Sequence, residues 1–287
     1  MRGKNRCAAL LALSALAAPA SAQLRGQEPL LRVSDPAGDA HGDGSAQLPT
    51  GPAIAPEALD LRSFEVWPRG RFLSFRTEFG ALQNPWNAPA GFSAQTLDIF
   101  IGTRSGGEST LADLNLRTEG GGWQYHLRVT GQGARWTHAS EAPAAGVNAP
   151  PDEDPPSPAL PPAPQVRTEG NTLVIDTELP RGRYAYWVTS SVYSPMSAGG
   201  VLVPGGSGPF AVKVPAGHTS VPVPLDVLAE EASPQPFNLG QLAPVGRLND
   251  FRPWLLWGLG LLGLGLAAGA SIALWRTPRE EVVKKLA

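Results

Sequence analysis

Between residues 63 and 214 the chain keeps returning to one pattern: short runs of alternating apolar and polar residues, separated by glycine and proline. "SFEV" (63–66) and "FLSFRTEF" (72–79) flank the turn "WPRGR", and Leu73, Phe75, Thr77 and Phe79 fall on one face. "TLDIFIG" (96–102) puts Leu97, Ile99 and Ile101 together. "WQYHLRVTG" (123–131) sets Trp123, Tyr125, Leu127 and Val129 against Gln124, His126 and Arg128. "TLVIDTEL" (172–179), "YAYWVTSSVYS" (184–194) and "FAVKV" (210–214) continue the series. A period of two suits a half-buried strand and gives a helix no coherent face. Many short strands with turn residues between them predict an all-β chain, an antiparallel β-sandwich. The 33 glycines and 30 prolines are the turns such a fold needs.

The two ends of the chain set its compartment. Arg2, Lys4 and Arg6 precede the apolar run "CAALLALSALAAPA", and "ASA" before Gln23 offers a cleavage site, so residues 1–22 read as a signal peptide. Cys7, the one cysteine, lies inside that run, which leaves the mature chain without a disulfide. Residues 253–275, "PWLLWGLGLLGLGLAAGASIALW", carry no charge and have the length of a transmembrane helix. Trp254, Trp257 and Trp275 stand at its two ends, as interfacial aromatics do. Arg276, Arg279, Lys284 and Lys285 follow at once, against Arg247 and Arg252 before it. This bias predicts a cytoplasmic tail at 276–287 and an extracytoplasmic ectodomain on a single-pass anchor in the cell membrane.

The predicted domain spans 23–229. A proline-rich, acidic stretch at 141–166 is expected to be an insertion that joins no sheet, and 230–252 is expected to be a stalk. A net charge of −2 without basic clusters argues against a nucleic-acid partner. Nothing resembles a catalytic constellation: there is no G-x-S-x-G elbow and no H-E-x-x-H pair, and His41, His126, His138 and His218 are scattered. The chain is therefore read as a non-enzyme, with His126 as a solvent-facing strand residue.

Two stretches remain as candidate sites. In "SDPAGDAHGDGSAQLPTG" (34–51), Asp35, Asp39 and Asp43 stand at four-residue intervals among glycines. Calcium requires several oxygens around a sharp turn, but this spacing is not that of an EF-hand, and composition alone favours an Asx-type turn. In "NPWNAPAGFS" (84–93), proline and glycine place Trp86 on a loop, where a flat aromatic face can stack on a sugar.

Taken in order, "DPAGDAHGDGSAQLP" (35–49), "ALDLRSFEVW" (58–67) and "LSFRTEFGALQNPWNAPAGFSAQTLDIFIG" (73–102) resemble the C-terminal module of glucodextranase. "RYAYWVTSSVYS" and "PLDVLAEE" (224–231) fit as well, so the resemblance covers nearly the whole ectodomain. It implies a β-sandwich related to the DOMON and family 9 carbohydrate-binding folds, holding glycans or the cell surface, with structural calcium in relatives. By position it makes Asp35, Asp39 and Asp60 the calcium candidates and Trp86 the sugar platform. The chain departs from that pattern at Ala40, where relatives have an aspartate, and at Ala46 and Leu48, where they have tyrosines.

The expected function is thus a membrane-anchored, non-catalytic module binding a polysaccharide or cell-wall glycan. A structural role, docking to another envelope protein or transporter subunit, is the alternative. A third reading follows from DOMON relatives that hold haem b, for which Met196 and His218 would be the axial candidates.

Overall fold

A computed structural model describes residues 27–111, 113–139, 160–215, 221–229, 235–246 and 252–276. In chain order its strands are β1 (Leu31–Ser34), β2 (Leu61–Arg69), β3 (Phe72–Phe79), β4 (Gln95–Gly102), β5 (Thr110–Leu111), β6 (Leu116–Thr118) and β7 (Tyr125–Thr130). They continue as β8 (Gly133–His138), β9 (Gln165–Glu169), β10 (Thr172–Pro180), β11 (Ala185–Val192), β12 (Asp226–Val227), β13 (Gln241–Leu242) and β14 (Val245–Gly246). Two helices are described, α1 (Gln235–Leu239) and α2 (Arg252–Arg276). The signal peptide and residues 277–287 of the expected cytoplasmic tail lie outside the described residues, as do His218 and residues 141–159 of the proline-rich stretch.

One sheet has the order β1-β2-β3-β10-β9, and a second runs β12-β11-β4-β7-β8 with β14 also paired to β11. All pairings within these two sheets are antiparallel. The core between them follows from the alternation. Phe64, Val66, Leu73, Phe75 and Phe79 of the first sheet meet Leu97, Ile99, Ile101, Leu127, Val129 and Val188 of the second in one buried cluster. Phe64 and Phe75 stack at 5.8 Å between centroids, and Tyr186 closes on both from the opposite sheet. The β-sandwich expected from the sequence is the fold observed.

The second sheet is covered on its outer face too. A small sheet, β13-β6-β5, lies outside it, and Phe100, Trp123, Trp187, Leu111, Leu114 and Leu116 form a second buried cluster there. This third layer overturns the expectation for His126, which is 4% exposed. Its ring stacks on Phe100 at 4.0 Å, with Nε2 2.7 Å from Asp98 Oδ1 and Nδ1 3.1 Å from Thr137 Oγ1. Arg128 Nε donates to the same Asp98 oxygen at 2.6 Å, and Arg128 Nη1 donates to the Gly199 carbonyl at 2.8 Å. Asp98 is wholly buried, and these two bases hold its carboxyl below the usual range against the opposing effect of burial. Trp123 also differs from its predicted face: it packs on Phe100 in the outer cluster rather than beside Leu127 and Val129.

Three further expectations are corrected. "FAVKV" is no strand; Lys213 makes one isolated bridge to Gln47, and Phe210 is exposed. The proline-rich stretch ends earlier than drawn, because Gln165 and Val166 open β9, an edge strand on β10. Residues 235–246, inside the expected stalk, pack on the sandwich: β13 pairs with β6 in parallel, and β14 pairs Gly246 with Ala185. Only the neighbouring stretches 230–234 and 247–251 fall outside the described residues there.

Gly131, just after β7, marks a close approach. A Cβ there would lie 1.9 Å from the Phe92 carbonyl oxygen and 2.5 Å from Ala88 Cβ. Gly131→Ala is expected to destabilise the fold by roughly 1–3 kcal/mol through overpacking, with displacement of the 84–93 loop. A melting temperature and the tryptophan emission of the variant check both effects.

Candidate functional site

The aspartate loop leaves β1 and crosses the end of the sandwich. Asp35 is buried; its Oδ1 accepts from the Ala229 N–H at 2.8 Å, and its Oδ2 has no partner. Gly38, at φ 85°, turns the loop back so that its N–H donates to Asp60 Oδ2 at 3.0 Å. Asp39 follows, half-buried, with an unpartnered buried Oδ1. Asp226, at the start of β12, completes the arrangement from the far end of the chain. Its Oδ2 accepts from the Leu61 N–H at 2.6 Å and its Oδ1 from the Val227 N–H at 2.8 Å.

Carboxylate oxygens of Asp35, Asp39 and Asp226 lie within 4.8 Å of one another. Asp60 stands beside them in another role: Arg62 Nη2 binds its Oδ2 at 2.6 Å, so that oxygen braces the loop, while its Oδ1 is buried and unpartnered. Asp43 is apart from the group. It is exposed and accepts from the Ser45 N–H and hydroxyl, the Asx-type turn that composition favours. Ala40 is buried, and Ala46 and Leu48 pack in the apolar cluster with Ile54, Leu59 and Val192 beneath the loop.

Burial sets the electrostatics of the group. It pushes the Asp35 carboxyl up to about 7, with the Asp39 and Asp60 charges adding to the shift. Burial likewise raises Asp226 to about 9, followed by the Asp35 charge, and raises Asp60 from its ordinary value. Converging carboxylates that resist ionisation, with buried lone pairs left over, form a donor set that fits a hard divalent cation. Sequence reasoning missed Asp226. Its signal is a charge in the apolar run "PLDVL", where the alternative to a partner is an uncompensated buried carboxylate.

Trp86 sits at the same end of the sandwich, on a loop tied to itself. Asn84 Oδ1 accepts from the Ala88 N–H at 2.8 Å and from the Ser93 hydroxyl at 2.7 Å, and Asn84 Nδ2 donates to the Ala88 carbonyl at 3.0 Å. Ser93 Oγ in turn accepts from the Trp86 N–H at 2.9 Å. Asn87 takes φ 50° at the turn. Trp86 is 37% exposed, whereas Trp123, Trp136 and Trp187 are buried. It borders a cavity of 340 Å³ whose walls include Pro52, Ile54, Tyr193, Met196, Leu202 and Phe210. Met196 is 93% exposed at its rim, and among the described residues no histidine lines the cavity.

A second, larger cleft of 1010 Å³ runs along the open side between the sheets, past Leu31, Val66, Arg183, Tyr184 and Val245. Near the C-terminus, α2 contains one stretch, Leu256–Trp275, that is long and apolar enough to cross a membrane.

No curated protein matches the sequence. The family model for the C-terminal, SLH-like binding module of glucodextranase matches residues 30–187, more than half of the chain. That span runs from Leu30 to Trp187 and takes in Asp35, Asp39, Asp60 and the Trp86 loop, while Asp226 lies beyond it. The chain belongs to the family of the C-terminal, SLH-like binding module of glucodextranase.

Proposed function

We propose that this protein is a non-catalytic glycan-binding module carried on a single membrane helix, with calcium bracing the loop beside its binding slot. The observation that carries the reading is the placement of Trp86. Its partly exposed ring is held by the Asn84 and Ser93 hydrogen bonds at the mouth of a cavity, in a family whose members are binding modules. A pre-ordered aromatic face loses little entropy on stacking, and the C–H side of a pyranose ring matches its apolar surface. The prolines and Tyr193 around it shape a slot for one edge of a chain rather than a cage of hydrogen bonds.

The architecture gives the slot its direction. Gly246 pairs with Ala185 at the first residue of β11, and the slot is lined by Val192 and Tyr193 at the other end of that strand. Tether and slot are therefore separated by the length of β11, about 25 Å at the rise of a strand. With α2 spanning the cell membrane and the domain outside it, the slot and the aspartate group lie at the end remote from the tether.

Calcium, when bound, supplies positive charge to the Asp35, Asp39 and Asp226 carboxylates. Asp60 holds Gly38 and so the curve of the loop. The loop lies over the apolar cluster that contains Ile54 and Val192, and both of these residues also wall the slot.

The test is retention of full-length protein, in lipid discs with calcium present, on a panel of immobilised α-glucans and cell-wall glycans. Saturable retention is expected, with Trp86→Ala weakening it about tenfold, the equivalent of roughly 1.4 kcal/mol. Equal retention of wild type and variant would remove Trp86 from the site. If no glycan were retained while one envelope protein co-purified in defined stoichiometry, the docking role would replace the glycan role.

A further inference from the structure

At the end of the sandwich opposite the slot, two turns lie side by side. One joins β2 to β3 through Arg69, Gly70 and Arg71; the other joins β10 to β11 through Arg181, Gly182 and Arg183. They are coupled directly: the Arg181 N–H donates to the Arg71 carbonyl at 2.9 Å, and Pro180 pairs with Phe72. Four arginines are thus gathered at one end, all exposed. Arg69 is tied to the Thr177 carbonyl, with Asp176 3.9 Å away. Arg71 lies over the Phe72 ring, and among the described residues Arg71, Arg181 and Arg183 have no carboxylate partner. Among the described residues, the acidic groups on this side include Asp176 beside Arg69, Glu119 on the wall of the large cleft and Glu178 two residues before Pro180.

The chain leaves for the membrane helix from this same end. Gly246 pairs with Ala185, two residues from Arg183, and its backbone comes so close that a Cβ would stand 2.7 Å from the Tyr184 carbonyl oxygen. The helix begins at Arg252, and six peptide steps span at most about 21 Å. The arginine end cannot move far from the bilayer surface, whatever path residues 247–251 take. Tyr184 adds an interfacial group: its half-buried ring packs over Gly182 at the rim of the cleft, and its hydroxyl donates to the Pro180 carbonyl.

We propose that the turns carrying Arg69, Arg71, Arg181 and Arg183 form a membrane-apposed face that docks on the phosphate groups of anionic lipids in the leaflet around the protein's own anchor. This rests on α2 being a membrane anchor. The charge complement is direct, because arginine pairs with phosphate through its planar fork, and an anionic surface attracts basic residues within about a Debye length. Each basic residue near an anionic surface strengthens adsorption about fivefold, so the three arginines without a carboxylate partner favour an upright sandwich over free tumbling. Salt screens this attraction, so docking weakens as ionic strength rises.

Hydrogen exchange of the full-length protein in discs of phosphatidylcholine alone, and of phosphatidylcholine with a third of phosphatidylglycerol, tests the proposal. The expected result is several-fold slower exchange at 68–72 and 180–184 in the anionic discs only. The effect should be lost in 0.5 M salt and in Arg181→Glu/Arg183→Glu, with Arg71→Glu as a single-site control. Equal exchange in both lipids, or protection that salt leaves intact, would overturn the proposal. Extraction of vesicle-borne protein with alkaline carbonate is read in parallel. Release would refute the anchor, and the docking face with it, whereas retention without lipid-dependent protection refutes the docking face alone.

Discussion

Asp35→Asn is expected to make the calcium-free protein more stable at pH 8 and to remove its stabilisation by calcium. The sign follows from linkage. Burial raises the folded-state value of Asp35 to about 7, far above the ordinary carboxylate value of an unfolded chain. The folded state therefore binds the extra proton between about pH 4 and pH 7, and calcium-free stability falls as pH rises through that window. Asp226 extends the decline to about pH 9. Asparagine keeps the oxygen that accepts from the Ala229 N–H but carries no charge, so the Asp35 share of the decline disappears. In wild type, calcium must displace those protons, so its effect grows with pH. At a hundredfold excess over its dissociation constant, the ion raises the melting temperature by roughly 5–10 °C. Calorimetry at pH 5 and pH 8, with calcium and with chelator, reads all four conditions. A calcium increment that survives in Asp35→Asn would remove Asp35 from the cation site.

Arg128→Ala is expected to cost roughly 3–5 kcal/mol, the loss typical of leaving one member of a buried ion pair alone. Asp98 has no exposure, and its Oδ1 is shared by Arg128 Nε and His126 Nε2 while its Oδ2 has no partner. Removing the guanidinium leaves the buried carboxylate with His126 alone and also frees the Gly199 carbonyl. The double replacement Asp98→Leu/Arg128→Met leaves no lone charge and is expected to recover much of the loss. Denaturant unfolding of both variants checks this, and a cost below about 1 kcal/mol for Arg128→Ala would mean that water reaches Asp98. This cluster is a structural tie. Asp98, His126 and Arg128 are all buried, and Arg128 Nη1 also stands 3.8 Å from the exposed Asp113 carboxylate.

How far these features are legible in sequence depends on the range of the interaction behind them. The strands through Phe75, Ile99 and Ile175 are readable because alternation is local and the sandwich core uses one face of each. The outer face of the second sheet is not readable. Asp98, His126 and Arg128 look like solvent-facing residues until the β5, β6 and β13 segments are seen to cover them. "FAVKV" fails for the converse reason: short apolar alternation also suits a loop whose Val212 dips into a local cluster. In the aspartate loop, the spacing of Asp35, Asp39 and Asp43 suggests three equivalent residues. The fold separates them, sending Asp43 to Ser45 and bringing in Asp226, whose bond to the Leu61 N–H bridges 165 positions. Only tertiary pairing creates that site. Likewise the four arginines occupy two tips far apart in the chain, and strand register alone makes them neighbours.

Ligand binding at Trp86 is the property on which the glycan-binding role depends. The measurement is a calorimetric titration of the disc-borne protein with the glycan that the panel retains, in calcium and in chelator, for wild type and Trp86→Ala. One saturable site per chain is expected, about tenfold weaker in the variant and weaker again when calcium is withdrawn from the wild type. Identical affinities for wild type and variant would contradict this expectation, because the slot lined by Trp86, Tyr193 and Phe210 would then not be where the glycan binds.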